Sequence, residues 1–209
     1  MSESTIGSTP LLIVLSGPSG VGKDAILTSL RDRLSNCHFT VTVTTRPRRP
    51  KEQDGVDYFF ISPERFRDMI ARGELLEYAQ VYGNWYGVPK EQVRQALSKG
   101  MDVMIKADVQ GAATLKKSVP QAVFIFLAPA SLRELESRLR DRQTESQEAL
   151  AHRLAVATEE MKQLDKFDYM VVNADGQMER AIDQIEAIVT AEKCRVQPKA
   201  SKSTCNLVT

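Results

Sequence analysis

The apolar positions of this chain fall into short blocks whose period switches between that of a strand and that of a helix. Residues 11–16 (LLIVLS) are a continuous apolar run ending in glycine, the pattern of a strand buried on both faces. Across 24–34, Ile26, Leu27, Leu30 and Leu34 share one helical face. Residues 39–44 (FTVTVT) alternate β-branched side chains and predict a single second strand. A basic, proline-rich loop over 46–55 leads to a further strand at 57–61. Ser62 then offers an N-cap with Pro63 at the first helical position. Phe66, Met69 and Ile70 form the apolar face of that helix, and Gly73 ends it. More strands are expected at 74–81, 103–108, 122–128 (AVFIFLA) and 169–173, and more helices at 89–97, at 131–142, after a polar break at 143–147 through Leu164, and at 177–193. The helix at 131 opens on a capping box, Ser131 with Glu134. Such alternation predicts an α/β fold: a mostly parallel sheet, helices on both faces, and ligands along the C-terminal strand ends. Residues 45–88 interrupt it with small strands and a helix of their own, as an inserted subdomain would.

Composition narrows the partners. The 209 residues allow one domain whose core needs no disulfide or structural metal. With 28 basic and 27 acidic residues, the net charge of +1 gives no general footprint for nucleic acid or for an anionic membrane. No apolar stretch approaches the roughly 20 residues of a membrane span. The first ten residues are polar and lack a signal core, so a cytoplasmic protein is expected. Cys37, Cys194 and Cys205 form no CxxC pair and read as reduced thiols. His38 and His152 are too far apart in sequence for a histidine-rich metal site. Residues 1–9 and the patternless, polar 195–209 are expected to be flexible.

The turn between the first strand and the first helix carries the first chemical signal. Gly17, Pro18, Ser19, Gly20, Val21, Gly22 and Lys23 fit GxxxxGK in the strand–turn–helix setting that a phosphate cradle requires. Backbone N–H groups of such a loop point inward around a phosphate, and the helix N-terminus adds partial positive charge. Lys23 brings a point charge to the β- and γ-phosphates. A serine or threonine usually follows the lysine and helps to hold Mg²⁺. Here that position is Asp24, a harder oxygen ligand that also places negative charge beside the phosphates. ATP with Mg²⁺ is therefore expected, with Asp24 as the candidate metal ligand.

Residues 42–58 (TVTTRPRRPKEQDGVDY) offer a second anion site. Arg46 and Arg49 in a proline-stiffened loop, with Tyr58 following, suit a terminal phosphate dianion; a solvated basic loop would have the same composition. The order of motifs changes the weighting. A P-loop, TTRxxR, GxDYxF, GELLEY, GNWYG and DVQG follow one another, and the chain resembles the guanylate kinase family over about residues 10–192. The resemblance implies transfer of the γ-phosphoryl group of ATP to GMP, and to dGMP, by a monomer or homodimer in purine nucleotide metabolism. It implies a P-loop NTPase-type fold with a core at about 10–44, 89–137 and 154–194, a GMP-binding subdomain at about 45–88 and a lid at about 138–153. Arg46, Arg49, Tyr58 and Tyr86 would then hold the GMP phosphate, and Thr42, Glu77 and Asp108 would read guanine. Arg138, Arg142 and Arg153 would reach the transferring phosphoryl group from the lid, with Asn173 near the adenine. Guanine chemistry agrees, since carboxylates accept from N1–H and N2–H₂ and a hydroxyl donates to O6. Adenine would set an acceptor at N1 against a carboxylate. The attacking oxygen is already anionic, so catalysis needs positioning and charge stabilisation and no general base.

Further positions depart from the family pattern. Lys106 stands where an acid opens Asp-x-Asp, Val88 where a serine or threonine follows YG, and Lys51 and Gln143 where glycines are usual. Asp24 adds an acid beside the phosphates and Lys106 removes one. Their places after the first strand and near the end of the central one predict contact between them. Two rival readings stay open. One is a non-catalytic guanylate-kinase-like binding module, opposed by the presence of Lys23, Arg138 and Arg142. The other is a kinase for another nucleoside monophosphate or a phosphorylated sugar, opposed by Thr42, Glu77 and Asp108.

Overall fold

The computed structural model describes residues 9–81, 83–140 and 147–196. The elements run β1 (Leu12–Ser16), α1 (Lys23–Arg33), β2 (Cys37–Phe39), β3 (Val43–Thr44), β4 (Phe59–Phe60), α2 (Pro63–Ala71), β5 (Leu75–Val81), β6 (Asn84–Pro89) and α3 (Lys90–Ser98). The second half runs β7 (Asp102–Lys106), α4 (Val109–Ser118), β8 (Val123–Ala128), α5 (Leu132–Arg140), α6 (Gln147–Met161), a 3₁₀ turn (Leu164–Lys166), β9 (Tyr169–Val172) and α7 (Met178–Lys193). Five strands pair in parallel in the order β2-β7-β1-β8-β9, and four others form a second, mixed sheet in the order β4-β3-β6-β5.

Strand β1 shows how the apolar run becomes a core. Ile13 and Leu15 enter one layer with Ile26 and Leu30 of α1 and Ile182 and Ile185 of α7. Leu12 and Val14 enter the opposite layer with Val93 and Leu97 of α3 and Leu115 of α4. Successive side chains of a strand face opposite ways, so a strand covered on both sides reads as unbroken apolar sequence. The parallel register brings the ends of β1, β7, β8 and β9 to one edge. There the chain places the 17–22 loop, the 106–108 turn and Asn173. The expected N-caps form: Ser62 Oγ accepts from the Arg65 N–H at 3.2 Å and Ser131 Oγ from the Glu134 N–H at 3.1 Å.

Three expectations need correction. Residues 39–44 are not one strand: β2 closes in the parallel sheet at Phe39, and β3 opens in the second sheet at Val43. The alternating pattern runs straight through this crossing and so hides it. Gln92 of α3 holds the crossing, accepting from the Val41 N–H at 2.8 Å and donating to the Val41 carbonyl at 2.9 Å. The strand expected at 57–61 shrinks to Phe59–Phe60. Strand β6 and helix α4 have no counterpart among the expected elements: β6 lies between the strand expected at 74–81 and the helix expected at 89–97, and α4, VQGAATLKKS, has few large apolar residues to mark a period. Its N-cap is Asp108, whose Oδ1 accepts from the Gly111 N–H at 2.7 Å.

Candidate active site

The loop between β1 and α1 turns hard against β8. Gly17, Gly20 and Gly22 have φ of 144°, 88° and 100°. A Cβ on Gly17 would lie 2.2 Å from the Leu127 carbonyl oxygen, so no larger residue lets the chain leave β1 here. The Lys23 ammonium folds back and donates to the carbonyls of Gly17 (2.5 Å) and Pro18 (3.0 Å). Burial lowers its pKa, and the charges of Glu160, Asp24 and Asp108 oppose that shift.

Asn173 and Arg138 grip the loop from its other side. Asn173 Nδ2 and Arg138 Nη1 both donate to the Val21 carbonyl, at 2.8 and 3.2 Å. Arg138 also donates to the Asn173 carbonyl at 2.8 Å and to Asp175 at 2.8 Å, and pairs with Glu134. Arg153 lies seven residues before Glu160 on α6, two turns away on the same face. The Glu160 carboxyl sits beside the Ser19 amide and Lys23, and burial pushes its pKa up to about 7. Its Oε2 is buried without a hydrogen-bond partner. Sequence reasoning passed over Glu160; its spacing from Arg153 was the available signal. Arg142 and Gln143 lie outside the described residues.

The second sheet and its loops gather a basic, aromatic pocket. Arg46 forms a two-pronged pair with Glu52 (3.1 and 2.8 Å) and lies over the rings of Tyr58 and Phe60 at 5.3 and 5.7 Å. Glu52 also accepts from the Arg49 N–H at 2.9 Å and stands 3.8 Å from the Arg49 guanidinium. The Tyr58 and Tyr86 rings meet edge-on at 6.1 Å. Arg46, Arg49, Tyr58 and Tyr86 are thus brought together. Glu52, missed from the sequence although it is the acid three residues after Arg49, aligns both arginines.

Deeper in, β6 pairs with β5 at Val88 and Glu77, and the register of Val43 with Gly87, carried one residue back beyond β3, sets Thr42 opposite Val88 in the same row. Val88 is fully buried in the apolar layer with Leu76 and Val93, so this departure packs where a hydroxyl would need a partner. Glu77 lies against the first turn of α4: a Cβ on Gly111 would stand 2.7 Å from Glu77 Oε2. Burial, and then the charge of Asp108, pushes the Glu77 pKa up to about 8. Glu77 Oε2 and Thr42 Oγ1 are both buried without a hydrogen-bond partner. Buried polar atoms are nearly always satisfied, so two unsatisfied ones in a single row mark a place built for another molecule's polar edge.

Lys106 joins the two halves of the site. Parity along β7 sends it to the face of Met104, the face that α1 covers. Its ammonium donates to Asp24 Oδ1 at 2.7 Å and to the Tyr58 hydroxyl at 2.8 Å, and stands 4.0 Å from the Tyr58 ring centre. The contact expected between Asp24 and Lys106 is present; the part of Tyr58 in it was not foreseen. Among the described residues no group of three or more His, Cys, Asp or Glu side chains could hold a metal. What adjoins Lys23 is the carboxylate of Asp24, which suits Mg²⁺, an ion that keeps its waters and adds substrate phosphates to one or two carboxylates.

Comparison with known proteins gives one answer. The family model for guanylate kinase matches residues 9–192. The chain is 48% identical over 191 residues to guanylate kinase 2, chloroplastic/mitochondrial, of Oryza sativa subsp. japonica, covering 91% of this chain and 67% of that one. It is 48% identical over 185 residues to a guanylate kinase of Halalkalibacterium halodurans, covering 88% and 90%. The crystal structure of guanylate kinase from Anaplasma phagocytophilum matches with a TM-score of 0.74 at 32% identity, over 90% of this chain and 89% of that one.

Proposed function

Because the chain belongs to the guanylate kinase family, whose members transfer the γ-phosphoryl group of ATP to GMP, we propose how its own residues divide that work. The 17–22 loop and Lys23 hold the ATP phosphates, with Asn173 beside the adenine. Arg46, Arg49, Tyr58 and Tyr86 hold the GMP phosphate, two guanidinium forks and two phenols around a dianion. Thr42 donates to guanine O6, while Glu77 and Asp108 accept from N1–H and N2–H₂. The observation that carries this assignment is the pair of unsatisfied buried atoms, Thr42 Oγ1 and Glu77 Oε2. On this reading residues 45–88 are the GMP-binding subdomain and 138–153 the lid.

An oxygen of the GMP phosphate attacks Pγ as the bond from Pγ to the β,γ-bridging oxygen breaks, giving GDP and ADP with no proton to move. Lys23, Arg138, Arg142 and Arg153 stabilise charge on the phosphoryl group in transit, Arg138 from a position already bonded to the phosphate loop. Kinases of this family use ATP with a divalent metal; we take it to be Mg²⁺, to which Asp24 offers a carboxylate oxygen and which, when bound, neutralises the β- and γ-phosphates. No described helix is long and apolar enough to cross a membrane, and we place the enzyme in the cytoplasm.

ADP formation from ATP·Mg²⁺ with GMP, dGMP, AMP, CMP and UMP offered separately tests this. Turnover confined to GMP and dGMP is expected, with AMP rejected by about 10⁴-fold, as for a site whose buried groups would be left unpaired. Arg49→Ala should raise KM for GMP about tenfold or more and leave KM for ATP nearly unchanged. Comparable turnover of AMP removes Thr42 and Glu77 from base recognition. No turnover with any acceptor, from folded protein that binds ATP, returns the non-catalytic module.

A further inference from the structure

We propose that Lys106 is a catalytic cation of this enzyme, its ammonium donating to a phosphate oxygen at the point where donor and acceptor meet. The inference rests on the acceptor site proposed above. Lys106 pairs in register with Leu15, one residue before the end of β1, so its backbone adjoins the start of the phosphate loop. Its two anchors come from different halves of the site. Asp24 follows the lysine of the phosphate loop, and Tyr58 belongs to the pocket of Arg46 and Tyr86. The Lys106 side chain is only 15% exposed while that of Asp24 is 71% exposed, so the pair lies where the packed interior meets solvent.

The donor count favours contact with a ligand. An ammonium has three N–H groups and no acceptor; one points to Asp24, one to Tyr58, and the third remains for a phosphate oxygen. Because the phenol oxygen of Tyr58 accepts from Lys106, its own O–H is left to donate, and a phenol polarised by a cation is the stronger donor to a phosphate. Asp24 in place of a hydroxyl would otherwise repel the triphosphate. Lys106 both cancels that charge and adds a fixed positive one between the substrates, as preorganised electrostatic stabilisation requires.

The test is calorimetric titration, in EDTA, with adenosine and guanosine joined through a pentaphosphate, a ligand whose phosphates span both halves of the site. Four full-length proteins are compared with the wild type: Lys106→Met, Asp24→Ser, the double variant Asp24→Ser/Lys106→Met, and Arg49→Ala. The double variant removes both charges of the pair together and so keeps folding intact if Lys106→Met alone does not; thermal melting confirms each. We expect the double variant to bind at least about tenfold more weakly than Asp24→Ser, the worth of a hydrogen bond to a charged group. The same comparison with ATP·Mg²⁺ and GMP as substrates should show a fall in kcat larger than any rise in KM for ATP. Equal binding by Asp24→Ser and the double variant overturns the proposal, because the sole task of Lys106 would then be to neutralise Asp24. If Arg49→Ala also binds like the wild type, the acceptor site itself is misplaced and Lys106 falls with it. A loss in Arg49→Ala with none attributable to Lys106 keeps the acceptor site and rejects the cation.

Discussion

Glu77 is a carboxyl held largely protonated at neutral pH by burial and by Asp108, with a pKa pushed up to about 8. A neutral Glu77 would set its own O–H against the guanine donors, so the carboxylate is the form that binds, and binding must therefore expel a proton. GMP affinity should rise as pH climbs toward 8 and level off above it, by up to about tenfold per unit. Calorimetry at pH 7 in buffers of different ionisation enthalpy should read close to one proton released per GMP; uptake, or no exchange, would remove Glu77 from base recognition. The stability linkage has a definite sign. The folded pKa lies above the ordinary 4.5, so the stability this group contributes is complete below about 4.5 and is lost as pH rises through about 8. Glu77→Gln should therefore raise the melting temperature of the ligand-free protein more at pH 8.5 than at pH 5.5, while abolishing tight GMP binding. At this scale the sequence displayed Lys23, Arg46, Arg49 and Tyr58 through their spacing. Glu52 was passed over although its partners Arg46 and Arg49 are near in the chain, whereas Glu160 was hidden because Lys23 and Ser19, which it lies beside, are distant in the chain.

The segment from β1 through the phosphate loop to α1 shows what a local pattern can reveal. An apolar run, glycines at turns and an amphipathic helix are local properties, so this unit was legible before any coordinates. The split of 39–44 between two sheets and the helix α4 were not, since an alternating pattern has the same period in either sheet, and small residues leave a helix unmarked. The loop makes a local prediction too. Gly17 combines φ of 144° with a carbonyl oxygen 2.2 Å from where its Cβ would be, whereas Gly100, with φ of 73°, has nothing within 4 Å. Gly17→Ala should cost about 2–4 kcal/mol in urea unfolding and Gly100→Ala about 1 kcal/mol. Equal midpoints for the two variants would mean that the loop relaxes freely away from β8.

Over the whole molecule, the chain passes between the two sheets in two places, the 40–42 crossing and the return from β6 through α3 to β7. Gln92, in the first turn of α3, holds Val41 in the crossing by both the Val41 N–H and the Val41 carbonyl. Gln92→Ala leaves those backbone groups without their side-chain partner. The Val41 amide should exchange with solvent about tenfold to a hundredfold faster while amides of Leu12–Ser16 keep their protection, and KM for GMP should rise with KM for ATP unchanged. An unaltered Val41 exchange rate would show that Gln92 does not hold the crossing.

The consequence of that clasp is kinematic. If the smaller sheet turns on the core, the clasped crossing is its hinge and its residues move along arcs about it. Thr42, beside the clasp, would then travel little, while Arg49, out along the loop beyond β3, would travel farther. The base would thus be seated where little moves, and the phosphate delivered from the end of the lever.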